Sequence, residues 1–484
     1  MPNTLNSPSL SVPDTSATAP RRRLTNRVVL DAGFLLIAWI TLAVTLVARL
    51  FEVGGEDAEF LLALGMLCSA MFMVRALYAR ADRFMLSPTF WLLVTFFFYF
   101  VLKSLDWWAK DLVTPTLVEA LWLCSLFLAA YGVVYAVTDA RLRGAAVRAH
   151  RGEQVIAPGA SWTLLAVCSV FKLVGIALFA SAGGGDVLEV AAATQNAGAA
   201  YLYRLPAIGN IIFLALLFDS FKNNRNWNIT LLALALYLLE AVLSTSRLAL
   251  IMVVMWSAFL YHRYRHPISL MRVALISLPL VLVLVLFGYA RNIEVGSVSA
   301  YAEAAAALAA EPMLISDLFM QRMDMLPELV AALDLQRAGT LPELHGASYV
   351  YAFLHAVPRS IWESKPLLTA ALATSETHPA SFADGVNIFP SIIFEGVMNL
   401  SYAGVALSGA LIAFLCRQLE RAIEADRLVP SVWALSQLTF PMALFNEGVH
   451  SNYTGNLLYV TALTALLYKA LKAGGLIQRR RTPA

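Results

Sequence analysis

Charged residues are scarce in this chain: Asp, Glu, Lys and Arg make up 14% of 484 residues, hydrophobic residues make up 59%, and the mean hydropathy is +0.69. An ordinary soluble domain carries about 25% charged residues, so this composition excludes one. Cysteine is nearly absent. The four that exist, Cys68, Cys124, Cys168 and Cys416, lie within or at the ends of apolar runs, which argues against a disulfide framework or a cysteine metal site. His345, His355 and His450 lack metal-ligand spacing. Neither a phosphate-cradling Gly-x-x-x-x-Gly-Lys loop nor an Asp-x-Asp pair is present, so no metal and no cofactor is expected.

What the chain has instead is apolar runs of about 17 to 22 residues, the length that carries a helix across about 30 Å of hydrocarbon. They fall near 29–50, 60–79, 88–105, 116–137, 161–182, 204–220, 228–243, 246–262, 272–290, 395–416, 430–448 and 454–471. The expected fold class is all-α: a polytopic transmembrane helix bundle of about twelve spans with one large periplasmic loop containing short helices.

Lys and Arg fix the expected orientation. Clusters at 21–27, 80–83, 141–151, 263–265, 417–427 and 479–481 alternate with base-poor turns such as FEVGGEDAEF, which places both termini in the cytoplasm. The net charge of +3 therefore reports topology and implies no nucleic acid partner. Residues 1–27 read as a disordered cytoplasmic tail without a cleavable signal pattern, 28–290 as nine spans, 291–394 as the large outer loop, 395–471 as three further spans, and 472–484 as a basic tail.

Inside that loop Phe319, Met323, Leu326, Val330 and Leu333 recur at helical spacing. They predict an amphipathic helix on the membrane surface or over the bundle, with Pro327 starting a second piece or kinking the first. From Gly339 onward the pattern breaks into His, Pro, Gly and charged residues, as in a binding loop held by a rigid scaffold.

Arg204, Arg247, Arg291 and Arg359 all fall on the outer side of this topology. Guanidinium forks match phosphate oxygens two at a time, and four of them at one interface would suit a diphosphate; each alone also suits snorkelling to headgroups. Lys172 is a cation near mid-span, where it needs a partner, and Glu119, Asp219 and Glu240 are available. Trp107 and Trp108 read as belt anchors or as sugar platforms.

Two short elements carry a resemblance. VPRSIWESKP, at 357–366, followed by IFEGVMNLSYAGVAL, at 393–407, resembles the O-antigen polymerase family, or oligosaccharide repeat unit polymerases. Pro358, Arg359, Trp362, Lys365 and Pro366 match the first family element; Glu395, Asn399 and Gly404 match the second, and Ser401 stands where glycine is usual. STSRLALI is similar to the family's Ser-Arg at the start of a mid-chain span.

The resemblance implies a metal-independent membrane glycosyltransferase of the C type in the bacterial inner membrane. Its substrates would be undecaprenyl-diphosphate-linked oligosaccharides, and a chain-length regulator and a flippase of the same pathway would be its partners. The growing glycan would pass to the non-reducing end of a new lipid-linked unit, releasing undecaprenyl diphosphate. Arg204, Arg247, Arg291, Arg359 and Lys365 are then expected to hold diphosphate, and Trp362 to stack on sugar or pack the loop. Glu395 is the first choice for general base, with pairing to an arginine as its other role, and His378 is the second. An O-antigen ligase and a flippase of lipid-linked oligosaccharide stay open as alternatives, as does a docking role for the loop.

Overall fold

The computed structural model describes residues 56–80, 87–145, 153–157, 159–181, 206–243, 247–266, 268, 270–293, 298–312, 314–315, 324–354, 357, 361–383 and 388–480. Among them six helices are long and apolar enough to cross a membrane: Asp57–Leu77, Pro88–Ala109, Pro115–Leu142, Ala160–Ala177, Ile392–Glu424 and Leu428–Glu447. The chain is a mostly helical membrane protein. Helices Pro206–Asn223, Trp227–Leu243, Arg247–Tyr264, Leu270–Ile293 and Asn452–Ala473 cover the remaining apolar runs, except 29–50, which lies outside the described residues. One element departs from the expected all-α class: Glu153–Ile156 pairs antiparallel with Ile477–Arg480, Glu153 opposite Arg480.

Proline punctuates the helix starts. Pro88 occupies the first turn of its helix, behind Ser87, whose hydroxyl accepts from the Phe90 amide at 3.3 Å; Pro115 and Pro206 open theirs. These positions lack an intrahelical acceptor in any case, so the missing N–H costs nothing there.

The helices share two opposite ends. At one, Arg225 reaches the Ile156 carbonyl at 2.6 Å and Lys222 meets Asp426 at 3.1 Å, beside the strand pair. At the other, Lys103 bonds Asp324 at 2.8 Å, Thr116 bonds Asp334 at 2.6 Å, and Arg337 pairs with Glu119. These are called here the strand end and the loop end. Between them lie the two larger apolar cores of the described residues, one around Phe96, Phe127 and Phe445, the other around Phe213, Trp256 and Leu435; a third, small one joins Ala290, Ala300 and Ala304.

The part of the amphipathic stripe that is described, Leu326 to Leu333, covers the bundle. In helix Met325–Arg337, Leu326, Val330 and Leu333 are buried in the first core, with Pro327 in the first turn; Phe319 and Met323 lie outside the described residues.

Two predicted spans are not straight. The run at 430–448 splits into Leu428–Ser436 and Phe440–Glu447. Pro441, in the first turn of the second piece, has no N–H to give the Gln437 carbonyl, which the Phe440 amide takes instead at 2.9 Å. The carbonyl of Leu435, near this break, accepts from the Trp256 indole at 2.7 Å.

The run at 395–416 is corrected more deeply. The chain from Ile392 to Glu424 turns sharply at Leu400 (φ −143°, ψ 28°) and Ser401 (φ 52°, ψ −138°). A span therefore begins after Ser401, and 392–399 is a separate buried helix laid against it. Glycine permits the crossing: a Cβ added to Gly396 would lie 2.7 Å from the Gly404 carbonyl carbon and the Val405 nitrogen. Any side chain there would separate the two backbones.

Candidate functional site

The short helix 392–399 places Glu395 at the loop end with no solvent exposure. Its Oε1 accepts from the Ser348 hydroxyl, from the His450 amide at 3.1 Å and from the Thr369 hydroxyl at 3.4 Å; its Oε2 accepts from the Val449 amide. Four chain segments thus meet on one carboxylate: helix 392–399, helix Ala347–Leu354, helix Thr369–Thr377 and the turn before helix Asn452–Ala473. Gly448, at φ 81°, lets that turn approach, since a Cβ there would press on Glu395 Oε2 and stand 2.7 Å from the Phe389 ring.

Asn399 locks the same junction. Its amide group donates to the Ser348 hydroxyl and to the Glu395 carbonyl, both at 2.7 Å, and its Oδ1 accepts from the Ser348 amide at 3.3 Å. The Tyr349 hydroxyl lies 3.1 Å from Ser408 Oγ and 3.4 Å from the Gly404 carbonyl. Burial pushes the Tyr349 phenol up to about 12, so it stays neutral and able to donate.

His450 sits beside the carboxylate, 2% exposed, its Nδ1 3.3 Å from the Thr369 hydroxyl. The Tyr351 ring lies 5.6 Å from the imidazole, and Trp362 meets the other side of Tyr351 at 6.2 Å and 66°. A chain of contacts therefore runs from Trp362 through Tyr351 and His450 to Thr369 and Glu395. It joins the two elements VPRSIWESKP and IFEGVMNLSYAG, which stand some thirty residues apart in sequence. Ser391 and Ser451, at the starts of helices 392–399 and 452–473, bury hydroxyls that have no partner among the described residues. Buried polar atoms left without partners are uncommon, so this junction holds hydrogen-bonding capacity that the fold does not use.

Both oxygens of Glu395 are occupied and it is closed to solvent in this conformation; no arginine among the described residues pairs with it, and the side chains of Arg204, Arg247, Arg291 and Arg359 lie outside them. Glu395 clasps the junction.

His378, the second expected base, stands apart from this cluster. It caps helix Thr369–Thr377, and its Nε2 lies 2.7 Å from Glu328 Oε2. The carboxylate of Glu328 thus occupies the imidazole nitrogen in this conformation. Lys365 donates to the Val357 carbonyl at 3.1 Å and so draws the two ends of its own loop together. Trp362 packs against Tyr351, and its indole N–H donates to the Ser364 hydroxyl at 3.1 Å.

Arg204 and Arg359 lie outside the described residues. Arg247 begins helix Arg247–Tyr264 and Arg291 falls in the last turn of Leu270–Ile293, their side chains likewise outside them.

Lys172 finds its partner in Glu240, which it meets together with Asn210 over the Tyr237 ring, 4.2 Å from the ring centroid. Gly175 and Gly209 supply the room, since added Cβ atoms would strike Glu240 and Pro206 in one case and the Lys172 stem at 3.3 Å in the other. Trp108 stacks on Phe60 and Trp107 packs on the first core.

Sequence reasoning missed Ser348, Thr369 and Tyr351, and read His450 only as lacking metal-ligand spacing. The visible signal was the polar run Glu447 to Asn452, which follows an apolar stretch and holds a glycine. No family model matches the chain, and neither a curated protein nor a solved structure matches it.

Proposed function

We propose that this chain polymerises lipid-diphosphate-linked oligosaccharide repeat units at the periplasmic face of the bacterial inner membrane. The carrying observation is the contact chain that unites Trp362 with Glu395, because it brings the two resembling elements to one buried polar junction at the loop end. A glycosyl transfer from a lipid diphosphate needs little more from a protein than positioning and charge. As the bond from anomeric carbon to phosphate breaks, negative charge grows on the diphosphate, and fixed cations stabilise it without a metal.

In this proposal Arg204, Arg247, Arg291 and Arg359 face the diphosphate, with Lys365 setting the loop that carries Arg359. Trp362 borders the sugar. Glu395 positions the junction, and proton acceptance falls to an imidazole once substrate has displaced its present partner, His378 from Glu328 or His450 from Thr369. Released undecaprenyl diphosphate and the lengthened glycan are the products.

The test is the size profile of lipid-linked saccharides in membranes of a deletion strain, with carrier orientation read by an external glycosidase. Single units accumulating on the periplasmic face support polymerisation, and an Arg359→Ala protein that fails to restore the ladder ties the 357–366 stretch to it. Single units held on the cytoplasmic side indicate a flippase, and long lipid-linked polymer that never reaches the surface indicates ligation; either overturns the proposal.

A further inference from the structure

Helix Ala347–Leu354 has inverted polarity. Its protein-facing side presents Ser348 and Ala352, both buried, while Val350, Phe353 and Leu354 point outward with 58%, 72% and 41% of their surface exposed. In the following loop Ile361 is 76% exposed and Leu367 46%. A water-facing helix places these residue types the other way round, so the outward side is built for an apolar surrounding.

Its depth follows from its contacts. Glu119 and Arg337 pair at the loop end and Tyr402 bonds the same Glu119 at 3.3 Å, while Arg417 bonds Asp139 at 2.8 Å toward the strand end. Glu119 and Asp139 stand twenty residues apart on helix Pro115–Ala145, about 30 Å, which is the thickness of a hydrocarbon layer. Tyr402 and Leu407 are exposed on the span that runs between these two charged levels, with Leu400 exposed at the turn just before it, and that side of the span faces lipid. The Tyr349 hydroxyl meets Ser408, six residues or about 9 Å inward of Tyr402. Ser348 meets Glu395 and Asn399 on the short helix laid against the same stretch.

We propose that helix 347–354 and the loop after it are seated in the headgroup and acyl boundary of the membrane, with Val350, Phe353, Leu354 and Ile361 in contact with lipid. The occupant of this apolar face is the bilayer itself, because the face is continuous with the lipid-facing strip at Leu400 to Leu407. The polar side of the same helix holds the Glu395 junction, so the junction opens at the level where the headgroup of any lipid-borne ligand lies. The seating depends only on the chain's being a membrane protein and does not depend on the glycan chemistry.

Spin-label accessibility tests it. Full-length protein carrying Phe353→Cys or Val350→Cys is labelled and placed in bilayer nanodiscs, and power saturation is measured with oxygen and with a neutral nickel chelate. The wild type, whose four cysteines are buried, is the labelling blank. Leu407→Cys is the lipid-facing reference and Glu343→Cys, on a side chain 72% exposed, is the water-facing one. Labels at 353 and 350 are expected to resemble Leu407→Cys, with high oxygen and low nickel access. Nickel access equal to that at 343 would overturn the proposal. So would low access to both reagents with dipolar broadening between copies, which would mean a second chain covers the face. Because no catalysis is measured, failure here leaves the ladder experiment unaffected, and the reverse also holds.

Discussion

Replacing Ser401 with glycine should stabilise the protein. Ser401 is exposed, and its backbone at φ 52°, ψ −138° belongs to a region that residues with a Cβ rarely enter. Holding a non-glycine residue there costs about 1–3 kcal/mol. Glycine removes that strain and returns about 0.4–1 kcal/mol through the greater freedom of the unfolded chain, leaving a net gain of about 1–2 kcal/mol. For a chain of this size the gain is a rise in melting temperature of about 1–3 °C. The assay is thermal unfolding of the purified protein in detergent, with Ser401→Ala and Ser401→Val beside it. Alanine loses the hydroxyl yet keeps the strain, so it should leave the melting temperature close to wild type, and β-branched valine should lower it. A Ser401→Gly protein no more stable than Ser401→Ala would refute the reasoning, because it would show that the turn at 400–401 imposes no backbone penalty.

Gly404→Ala should act in the opposite sense: its methyl enters the Gly396 backbone and should cost about 1–3 kcal/mol in the same assay. Glu395→Gln puts an NH2 where the carboxylate now accepts on both oxygens, so one donor faces another, and a loss of about 2–4 kcal/mol is expected in thermal unfolding, with Glu395→Ala at least as damaging. Lys172→Met alone should cost about 3–5 kcal/mol by removing the buried ammonium that Glu240 and Asn210 share, and the double variant with Glu240→Gln should recover much of it; additive losses would mean that the ion pair is not the relevant partnership. Trp362→Ala opens the contact with Tyr351 while leaving the bundle intact, so it should shorten the saccharide ladder without lowering the melting temperature by more than about 1 °C.

The clasp on Glu395 has a functional corollary. A carboxylate that gathers two backbone amides and two hydroxyls from three other segments makes the loop end rigid where those segments meet its own helix, and rigidity lets a site hold a reacting bond in place. The strain at Ser401 and the hydroxyls of Ser391 and Ser451, which have no partner among the described residues, lie at or beside the same junction. Backbone strain and unused hydrogen-bonding groups collect where a fold serves a ligand as well as itself.

The sequence alone determined that the protein lives in a membrane and that nearly every apolar run is a helix, because a backbone without water must satisfy its own hydrogen bonds and helices do so locally. The resemblance of two short elements also singled out Glu395, Asn399 and Trp362. Only tertiary structure decided what these residues do. Glu395 looked free to act as a base, and its partners Ser348, Thr369, Val449 and His450 come from positions up to 55 residues away, a separation that no local pattern encodes. The turn at Leu400–Ser401 was hidden for a related reason: 395–416 reads as one apolar run, and its bend accompanies the close approach of Gly396 to Gly404, which packing alone creates. Lys172 advertised its need for a counter-charge by its position, but the choice of Glu240 over Asp219 or Glu119 belonged to the fold, which sets Asp219 against Arg225 and Glu119 against Arg337.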